Sequence, residues 1–264
     1  MTPVSRRRAD GGEHDERVDY ESRAEAYGRT RGLAGEAIAP WRDALAPYLE
    51  PARDRPLVDV GSGGGHFSIA LAEWFEAAVV GVEPSSAMRA VARRDNAHPR
   101  VAYVAGRAEA LPLADATCGA AWLSTVVHHV DLRACARELD RVLRPRAPIL
   151  VRSAFPGRLG GITLFRFFPA ARRRAERFPT IEAIADAFSA FGRGVARVTD
   201  VAQVSAPSLR AFCDRVRAGR HADTTLVSLT DEEFEAGVAS AERAAAAEAT
   251  PAPVVDRLTL LVLV

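Results

Sequence analysis

The chain has 264 residues, of which 48% are hydrophobic and 26% charged, and its formal net charge is +1. A chain of this length can bury one apolar core, and its near-neutral charge gives no general attraction for nucleic acid or an anionic membrane. Its three cysteines are widely spaced and no apolar run reaches the ~20 residues of a membrane span, so we expect a cytoplasmic protein without disulfides or a metal site.

The N-terminal part of the sequence divides into a tail and a helical segment. Residues 1–17 are charged and contain glycine, which predicts a disordered tail, and residues 18–264 are expected to form a single domain. Residues 20–48 have the apolar spacing of helices. Tyr20 and Tyr27 in this segment either cover a binding site or pack against the core.

A glycine-rich loop follows within residues 57–67, LVDVGSGGGHF. A short apolar run ends at this loop and a helical pattern begins after it, so the loop joins a strand to a helix N-terminus. Gly61, Gly63 and Gly65 allow close approach of a ligand, and the N–H groups of a helix start favour a polar or anionic group. Asp59, inside the strand, suits a positively charged group such as an amino group or a sulfonium. The loop therefore predicts a nucleotide-like cofactor.

A second acid follows at the distance expected of a ribose ligand. Glu83 closes the apolar run 77–82, about 20 residues after the loop, where a carboxylate can accept hydrogen bonds from both ribose hydroxyls. His66 occupies the sixth position of the dinucleotide fingerprint, where glycine is required. This substitution favours an adenosine-containing ligand over the pyrophosphate of an NAD-type cofactor.

Strand and helix patterns then alternate. The alternation predicts parallel βαβ units and a doubly wound α/β sheet that binds its ligand at the carboxyl ends of the strands. The predicted strands are 57–60, 78–82, 101–104, 119–124 and 147–153, and the predicted helices are 66–76, 86–94 and 132–143.

The second half of the sequence adds segments that we expect to cover this edge of the sheet. An aromatic, glycine-rich and basic segment follows the fifth strand, and two capped helices precede the C-terminal strand. Insertions at about 155–180 and 207–250 are therefore predicted to form a helical cap. A helix at 180–191 and strands at about 195–204 and 254–264 complete the predicted fold.

Four segments occur in order within roughly residues 20–155: VDVGSGGGHFS, VVGVEPSSAM, GRAEALPL, and LSTVVHHV followed by ARELDRVLRPRAPILV. Together they resemble the class I S-adenosylmethionine-dependent methyltransferases, in particular the ubiquinone/menaquinone-type group that acts on small molecules. The resemblance implies a seven-stranded, mostly parallel Rossmann-like sheet with an antiparallel C-terminal strand. It also implies S-adenosylmethionine as the cofactor and S-adenosylhomocysteine as its product.

The resemblance extends to individual cofactor-binding residues. Arg31 lies four residues after Tyr27, in the family's Tyr-x-x-x-Arg pattern, where an arginine can pair with the cofactor carboxylate. Arg107 stands where many relatives have Asp, which leaves adenine recognition to Glu109 or to backbone groups. The complete predicted set is Tyr27, Arg31, Asp59, Gly61, Ser62, Gly63, Gly65, Phe67, Glu83, Pro84, Met88, Ala108, Glu109, Ser124 and Thr125.

The candidate catalytic residues are His129, His128 and Tyr20. A histidine with a pKa near neutral suits a general base, whereas a His-His pair after the fourth strand often packs beneath the cofactor or substrate in this family. Arg177 and the arginines at 172–174 suit either an acidic substrate or a solvated helix face.

The predicted function is methyl transfer to a bulky small molecule, because an aromatic cap suits a large and partly apolar acceptor. Basic residues that are all arginine, with abundant alanine, indicate a GC-rich genome and associate the chain with secondary-metabolite or antibiotic biosynthesis. Two alternatives stay open: non-methylating chemistry on the same fold, such as cyclisation or displacement on an S-adenosylhomocysteine adduct, and a non-catalytic cofactor-binding protein. We expect a monomer or homodimer that binds neither nucleic acid nor membrane.

Overall fold

A computed structural model describes Glu21 and residues 35–264 of the protein. The predicted tail and part of the predicted N-terminal helical segment lie outside these residues. None of the described helices has the length and apolar character needed to cross a membrane. These helices are α1 (Gly35–Leu49), α2 (His66–Phe75), α3 (Ser86–Asp95), α4 (Leu132–Val142), α5 (Thr163–Phe167), α6 (Pro169–Ala175), α7 (Ile181–Ser189), α8 (Leu209–Gly219) and α9 (Asp231–Ala246).

Seven strands form one sheet: β1 (Leu57–Val60), β2 (Val79–Glu83), β3 (Val101–Ala105), β4 (Ala120–Ser124), β5 (Ile149–Ser153), β6 (Val195–Ala206) and β7 (Val254–Leu263). Their order across the sheet is β3-β2-β1-β4-β5-β7-β6. Strands β1 to β5 run parallel, and β7 runs antiparallel to both β5 and β6. The predicted fold class is confirmed, and each predicted strand begins and ends within two residues of the observed strand.

Several described helices have a side-chain cap at their N-terminus, but the helix that follows the glycine-rich loop does not. Five helices begin after a residue whose side-chain oxygen accepts a hydrogen bond from a backbone N–H three residues later, which satisfies one free donor of the first turn. These capping residues are Ser85, Asp131, Thr180, Ser208 and Thr230. Helix α2 instead follows Gly65, which has no side chain, and no described side chain caps its first turn. Its first N–H groups are therefore available to a ligand.

Both faces of the sheet are covered by helices. One face packs against α4 and α7, where Leu139 and Phe188 are buried in one cluster with Leu123 of β4. The other face packs against α1 and α2, and here Trp41 contacts Trp122 edge to face, with ring centroids 5.8 Å apart. Because β1, β2, β4 and β5 run parallel, their carboxyl ends lie at one edge of the sheet, between the two helical layers.

A third apolar cluster forms the cap, which we define as residues 159–178 and 207–250, including helices α5, α6, α8 and α9. Phe167 contacts Phe212 with ring centroids 6.1 Å apart, and Phe168 contacts Phe234 at 5.8 Å. Gly237 of α9 lies against Phe168 so closely that a Cβ atom would be 2.3 Å from that ring. The cap thus has a core of its own, built from the chain after β5 and the chain between β6 and β7.

Candidate functional site

The glycine-rich loop between β1 and α2 has a backbone that other residues adopt with difficulty. Gly61 and Gly65 have φ angles of 68° and 86°, and Gly63 has 54°, all in the left-handed region that favours glycine. A Cβ atom on Gly61 would lie 2.6 Å from Cγ2 of Val126, and one on Gly65 would lie 2.2 Å from the hydroxyl oxygen of Tyr103. The conformation and the space both require glycine here.

Two residues that were not predicted from the sequence support this loop. Nδ2 of Asn96 donates a hydrogen bond to the carbonyl oxygen of Gly64 (2.7 Å), and the Tyr103 hydroxyl donates to the carbonyl oxygen of Asn96 (2.8 Å). Burial raises the pKa of the Tyr103 phenol well above its usual range, so the hydroxyl keeps its proton. The sequence did offer one indication of this contact: Asn96 directly follows the helical pattern of α3, and asparagine side chains often form hydrogen bonds to backbone groups.

Glu83 is the last residue of β2, and its carboxylate is hydrogen-bonded to the glycine-rich loop. Its Oε2 accepts a hydrogen bond from the N–H of Gly63 (3.0 Å), and its Oε1 accepts one from the N–H of Ser85 (2.9 Å). Burial raises the pKa of Glu83, while these two donors act in the opposite direction. A carboxylate has about four acceptor positions, so this fixed group can also accept hydrogen bonds from ribose hydroxyls.

Asp59 lies in the middle of β1 and is 2% exposed. Its Oδ2 accepts a 2.6 Å hydrogen bond from the hydroxyl of Ser68 on α2. Burial raises the pKa of Asp59 to about 7; the Ser68 hydrogen bond opposes this shift, and the nearby Glu83 charge adds to it. Asp59 is therefore close to half-ionised at neutral pH, and a positive charge beside it would favour the ionised form.

A pocket of about 280 Å³ adjoins Glu83, and we call it the Glu83 pocket. Ala108 is buried in its wall, and Oε1 of Glu109 accepts a hydrogen bond from the N–H of Asp131 (3.0 Å). The pocket therefore brings together most of the residues predicted to bind the adenosine part of the cofactor. Its lining includes Gly61, Gly63, Glu83, Pro84, Met88, Ala108, Glu109 and Thr125, together with Arg107, Val126 and His129.

A second space of about 270 Å³ lies between the edge of the sheet and the cap, and we call it the cap cavity. Gly61 and Thr125 line both spaces, so the cap cavity adjoins the Glu83 pocket. In the part of the chain that the structure describes, no cluster of three or more His, Cys, Asp or Glu residues is arranged to hold a metal ion. The sheet side of the cavity includes Asp59, Ser62, Phe67, Ser124, Arg152 and Gln203, and the cap side includes Ile162, Leu164, Phe165, Phe212, Val216 and Leu226.

The two predicted histidines line different spaces. His128 lines the cap cavity and stacks on Phe178, with ring centroids 4.1 Å apart and an interplanar angle of 9°. His129 lines the Glu83 pocket, and its Nε2 lies 3.2 Å from Oγ1 of Thr224. His128 is therefore better placed than His129 to meet a ligand beneath the cap.

Three predicted residues, Tyr20, Tyr27 and Arg31, lie outside the described residues. Glu21 is described, and its carboxylate accepts hydrogen bonds from the N–H groups of Ser86 (2.6 Å) and Ala87 (3.1 Å) at the start of α3. The hydrogen bond from Ser86 is the main cause that lowers the pKa of Glu21. This contact joins residue 21 to the helix that follows Glu83.

Arg152 and Gln203 are site residues that were not predicted from the sequence. Nη2 of Arg152 donates a 2.8 Å hydrogen bond to Oε1 of Gln203, and both side chains line the cap cavity. The sequence did offer an indication for Arg152, because it is a charged residue near the end of the apolar run 147–153, at the edge of the sheet where a ligand is expected. Nothing in the local pattern of β6 indicated Gln203.

Known proteins are similar to this chain in sequence. A family profile described as a methyltransferase domain matches residues 58–151. The malonyl-[acyl-carrier protein] O-methyltransferase of Pseudescherichia vulneris is 31% identical over 188 residues, which are 68% of this chain and 73% of that protein. The ubiquinone/menaquinone biosynthesis C-methyltransferase UbiE of Methylobacterium nodulans is 35% identical over 121 residues, which are 43% of this chain and 48% of that protein. The chain thus matches about half the length of the second relative.

Solved structures show the same fold. A structure from Anabaena variabilis, assigned to an antibiotic biosynthesis pathway, has a TM-score of 0.69 at 20% identity, with 86% of this chain and 99% of that chain covered. The [4+2]-cyclase SpnF has a TM-score of 0.61 at 19% identity, with 92% of this chain and 93% of that chain covered. The fold, the ordered motifs and the relative that matches more than two thirds of both chains show that this protein belongs to the class I S-adenosylmethionine-dependent methyltransferases.

Proposed function

We propose that the protein transfers a methyl group from S-adenosylmethionine to a bulky, partly apolar small molecule. The observation that carries this proposal is that the Glu83 pocket and the cap cavity adjoin at Gly61 and Thr125. The first space suits adenosine and the second suits an acceptor. Two molecules held in adjoining spaces react with little loss of orientational freedom, which is a large part of what catalysis of this kind requires.

The residues of the site fit this cofactor. Glu83 would accept hydrogen bonds from the ribose, and Asp59 would face the positive charge of the methionine part. A Cβ atom at Gly61 would collide with Val126, so the loop keeps the shape that lines both spaces only with glycine at this position. When bound, S-adenosylmethionine supplies a methyl group on a positively charged sulfur, which is an activated leaving group.

The protein itself aligns the acceptor and excludes water. Phe165, Phe212 and Leu226 of the cap close one side of the cavity with apolar surface, which lowers the local water content around the acceptor. We assign to His128 the removal of a proton from an acceptor that must lose one, because it lines this cavity and its ring is held against Phe178. His129 and Tyr20 stay alternative candidates for this role.

The lining of the cap cavity supports an acceptor with a large apolar body, such as a quinone-like ring or another natural product. Similarity to a ubiquinone/menaquinone biosynthesis enzyme supports this class, as does the fold shared with a protein from an antibiotic pathway. The proposed role is therefore in secondary metabolism. A cytoplasmic location and action as a monomer or homodimer complete the proposal.

Transfer of a labelled methyl group tests the proposal. The purified protein is incubated with methyl-labelled S-adenosylmethionine and a panel of reduced quinones, phenols and aromatic acids, and the products are analysed by mass. We expect a singly methylated product from the wild type and from Glu73→Gln, an exposed control, but not from Glu83→Gln. A rearranged product of unchanged mass would favour cyclisation, and binding without any turnover would favour a non-catalytic protein.

A further inference from the structure

Among the described residues, two line both the Glu83 pocket and the cap cavity, and both have left-handed backbone. Gly61 has a φ of 68°, and Thr125 has a φ of 56°. This region is open to glycine but costs free energy in other residues, and it is an outlier for a β-branched residue such as threonine. A strained residue at the junction of two ligand spaces calls for a functional explanation.

The other strained positions have a different character. Among the described residues, Glu76, Ala116 and Arg146 are the other non-glycine residues with positive φ, and all three are exposed. Thr125 is partly buried, and it is the β-branched residue of the four. A solvent-exposed turn therefore does not explain the strain at Thr125.

The protein itself uses two of the polar groups of Thr125. The N–H donates to the carbonyl oxygen of Arg152 on β5 (2.7 Å), and the hydroxyl donates to the carbonyl oxygen of Ser124 (2.7 Å). In an extended residue the carbonyl oxygen would point toward the same neighbouring strand as the N–H. The positive φ of Thr125 rotates the carbonyl group out of this arrangement, and its oxygen accepts no hydrogen bond from the described residues.

The turn that contains Thr125 packs against the glycine loop. A Cβ atom on Gly61 would lie 2.6 Å from Cγ2 of Val126, the residue that follows Thr125. The N–H of His129 donates to the carbonyl oxygen of Val126 (2.9 Å), which closes the turn. Thr125 is thus held between β5 and this turn, at the place where the contents of the two spaces would meet.

We propose that the carbonyl oxygen of Thr125 faces the methyl group that S-adenosylmethionine donates, and that the left-handed conformation of Thr125 aims it there. This inference rests on the proposed function, because it places the methyl group at the junction of the two spaces. The methyl group shares the positive charge of the sulfonium, so a carbonyl oxygen attracts it through a C–H···O contact. This contact holds the methyl group in line for attack by the acceptor.

Sinefungin and S-adenosylhomocysteine are a matched pair of probes for this position. Sinefungin bears an ammonium group where the transferred methyl group would be, and S-adenosylhomocysteine bears neither group. A carbonyl oxygen there would accept a charge-assisted hydrogen bond from the ammonium group. Calorimetry gives the ratio of the two affinities for each variant. Asp59, Arg152 and Arg215 also line the cap cavity, and they are the same in every Thr125 variant, so a change in the ratio reports on Thr125.

Variants with different backbone preferences separate the carbonyl from the side chain. Thr125→Val keeps the side-chain shape but loses the hydroxyl and disfavours left-handed backbone, so the affinity for sinefungin relative to S-adenosylhomocysteine should fall by about tenfold. Thr125→Gly and Thr125→Asn tolerate this conformation and should keep most of the wild-type ratio. The control is Ala116→Val, which creates the same backbone conflict at an exposed position before β4 and should keep the wild-type ratio.

The same titrations identify the results that overturn the inference. An unchanged ratio in Thr125→Val would exclude the carbonyl oxygen as the partner of this position. A ratio that falls equally in Thr125→Gly and Thr125→Val would assign the effect to the threonine side chain. Binding of S-adenosylhomocysteine but not sinefungin by the wild type would also reject the inference. If Thr125→Val fails to fold, Thr125→Ala replaces it, and its ratio should fall in the same direction. Absence of S-adenosylhomocysteine binding in the wild type would contradict the proposed function rather than this inference.

Discussion

At the scale of single residues, the site depends on the shape of the glycine loop. An alanine at Gly61 would need a φ of 68°, and its Cβ atom would lie 2.6 Å from Val126. Left-handed backbone alone costs a non-glycine residue about 1–2 kcal/mol, and the contact adds to this. We expect Gly61→Ala to weaken S-adenosylmethionine binding by about tenfold or more, as measured by calorimetry.

Gly157 provides a matched control for this substitution. Its φ of 78° lies in the same region, but a Cβ atom there would meet nothing within 4 Å. Gly157→Ala should therefore lose about 1–2 kcal/mol of folding free energy and keep the wild-type affinity for the cofactor. Equal loss of cofactor binding in both variants would show that general destabilisation, and not the shape of the loop, is the cause.

The buried carboxyl of Asp59 should make cofactor binding depend on pH. With a pKa of about 7, Asp59 is mostly protonated at pH 6 and mostly ionised at pH 8. The ionised form attracts the positive charge of S-adenosylmethionine, so the affinity should rise by up to about tenfold between these pH values. Calorimetry at both pH values compares the wild type with Asp59→Asn, which cannot ionise and should show a flatter profile. The same rise in the variant would assign the effect to a different group.

At the scale of elements, the cap depends on close packing of α9 against Phe168, the residue between α5 and α6. Glycine is unfavourable inside a helix, yet Gly237 is the residue that fits here, because a Cβ atom would lie 2.3 Å from Cδ1 of Phe168. Gly237→Ala should lower the free energy of unfolding by about 1–3 kcal/mol through overpacking. It should also lower the rate of methyl transfer to an apolar acceptor while changing S-adenosylhomocysteine affinity little. Thermal denaturation, a methyl-transfer assay and calorimetric titration measure these effects.

Ala236 on the same helix separates packing from helix propensity. It is exposed, so Ala236→Gly should cost about 1 kcal/mol from propensity alone and keep the wild-type rate of methyl transfer. If Gly237→Ala instead proves as stable as the wild type, α9 does not pack on Phe168 as closely as described.

At the scale of the whole molecule, the sheet and the position of its cofactor-binding edge were predictable because their signals are local. The loop at 61–65 follows the end of β1, and Glu83 is the last residue of β2. Alternating strands and helices predict parallel strands, whose carboxyl ends lie at the same edge of the sheet. The cap helices α8 and α9 were also predictable, because Ser208 and Thr230 mark their starts with side chains that do cap them, whereas α5 and α6 have no such cap and were not predicted as helices.

Contacts between distant elements were not predictable from one sequence. Arg152 and Gln203 are 51 positions apart, and His129 and Thr224 are 95 positions apart, so no local periodicity records that these pairs meet. The directions of His128 and His129 depend on the 3-10 helix Val127–His129, which turns neighbouring side chains toward different spaces. The roles of Tyr20, Tyr27 and Arg31 stay predictions.

The central claim is that the edge between the glycine loop and Glu83 binds S-adenosylmethionine. Calorimetric titration of the wild type, Glu83→Gln and the exposed control Glu73→Gln tests it most directly. In Glu83→Gln, the side-chain amide would turn an N–H group toward one of the two backbone donors that the carboxylate now binds, so both the loop and the ribose contacts should suffer. We predict saturable one-to-one binding by the wild type and the control, and at least about tenfold weaker binding by Glu83→Gln. No saturable binding by the wild type, or equal affinity in Glu83→Gln, would contradict the account.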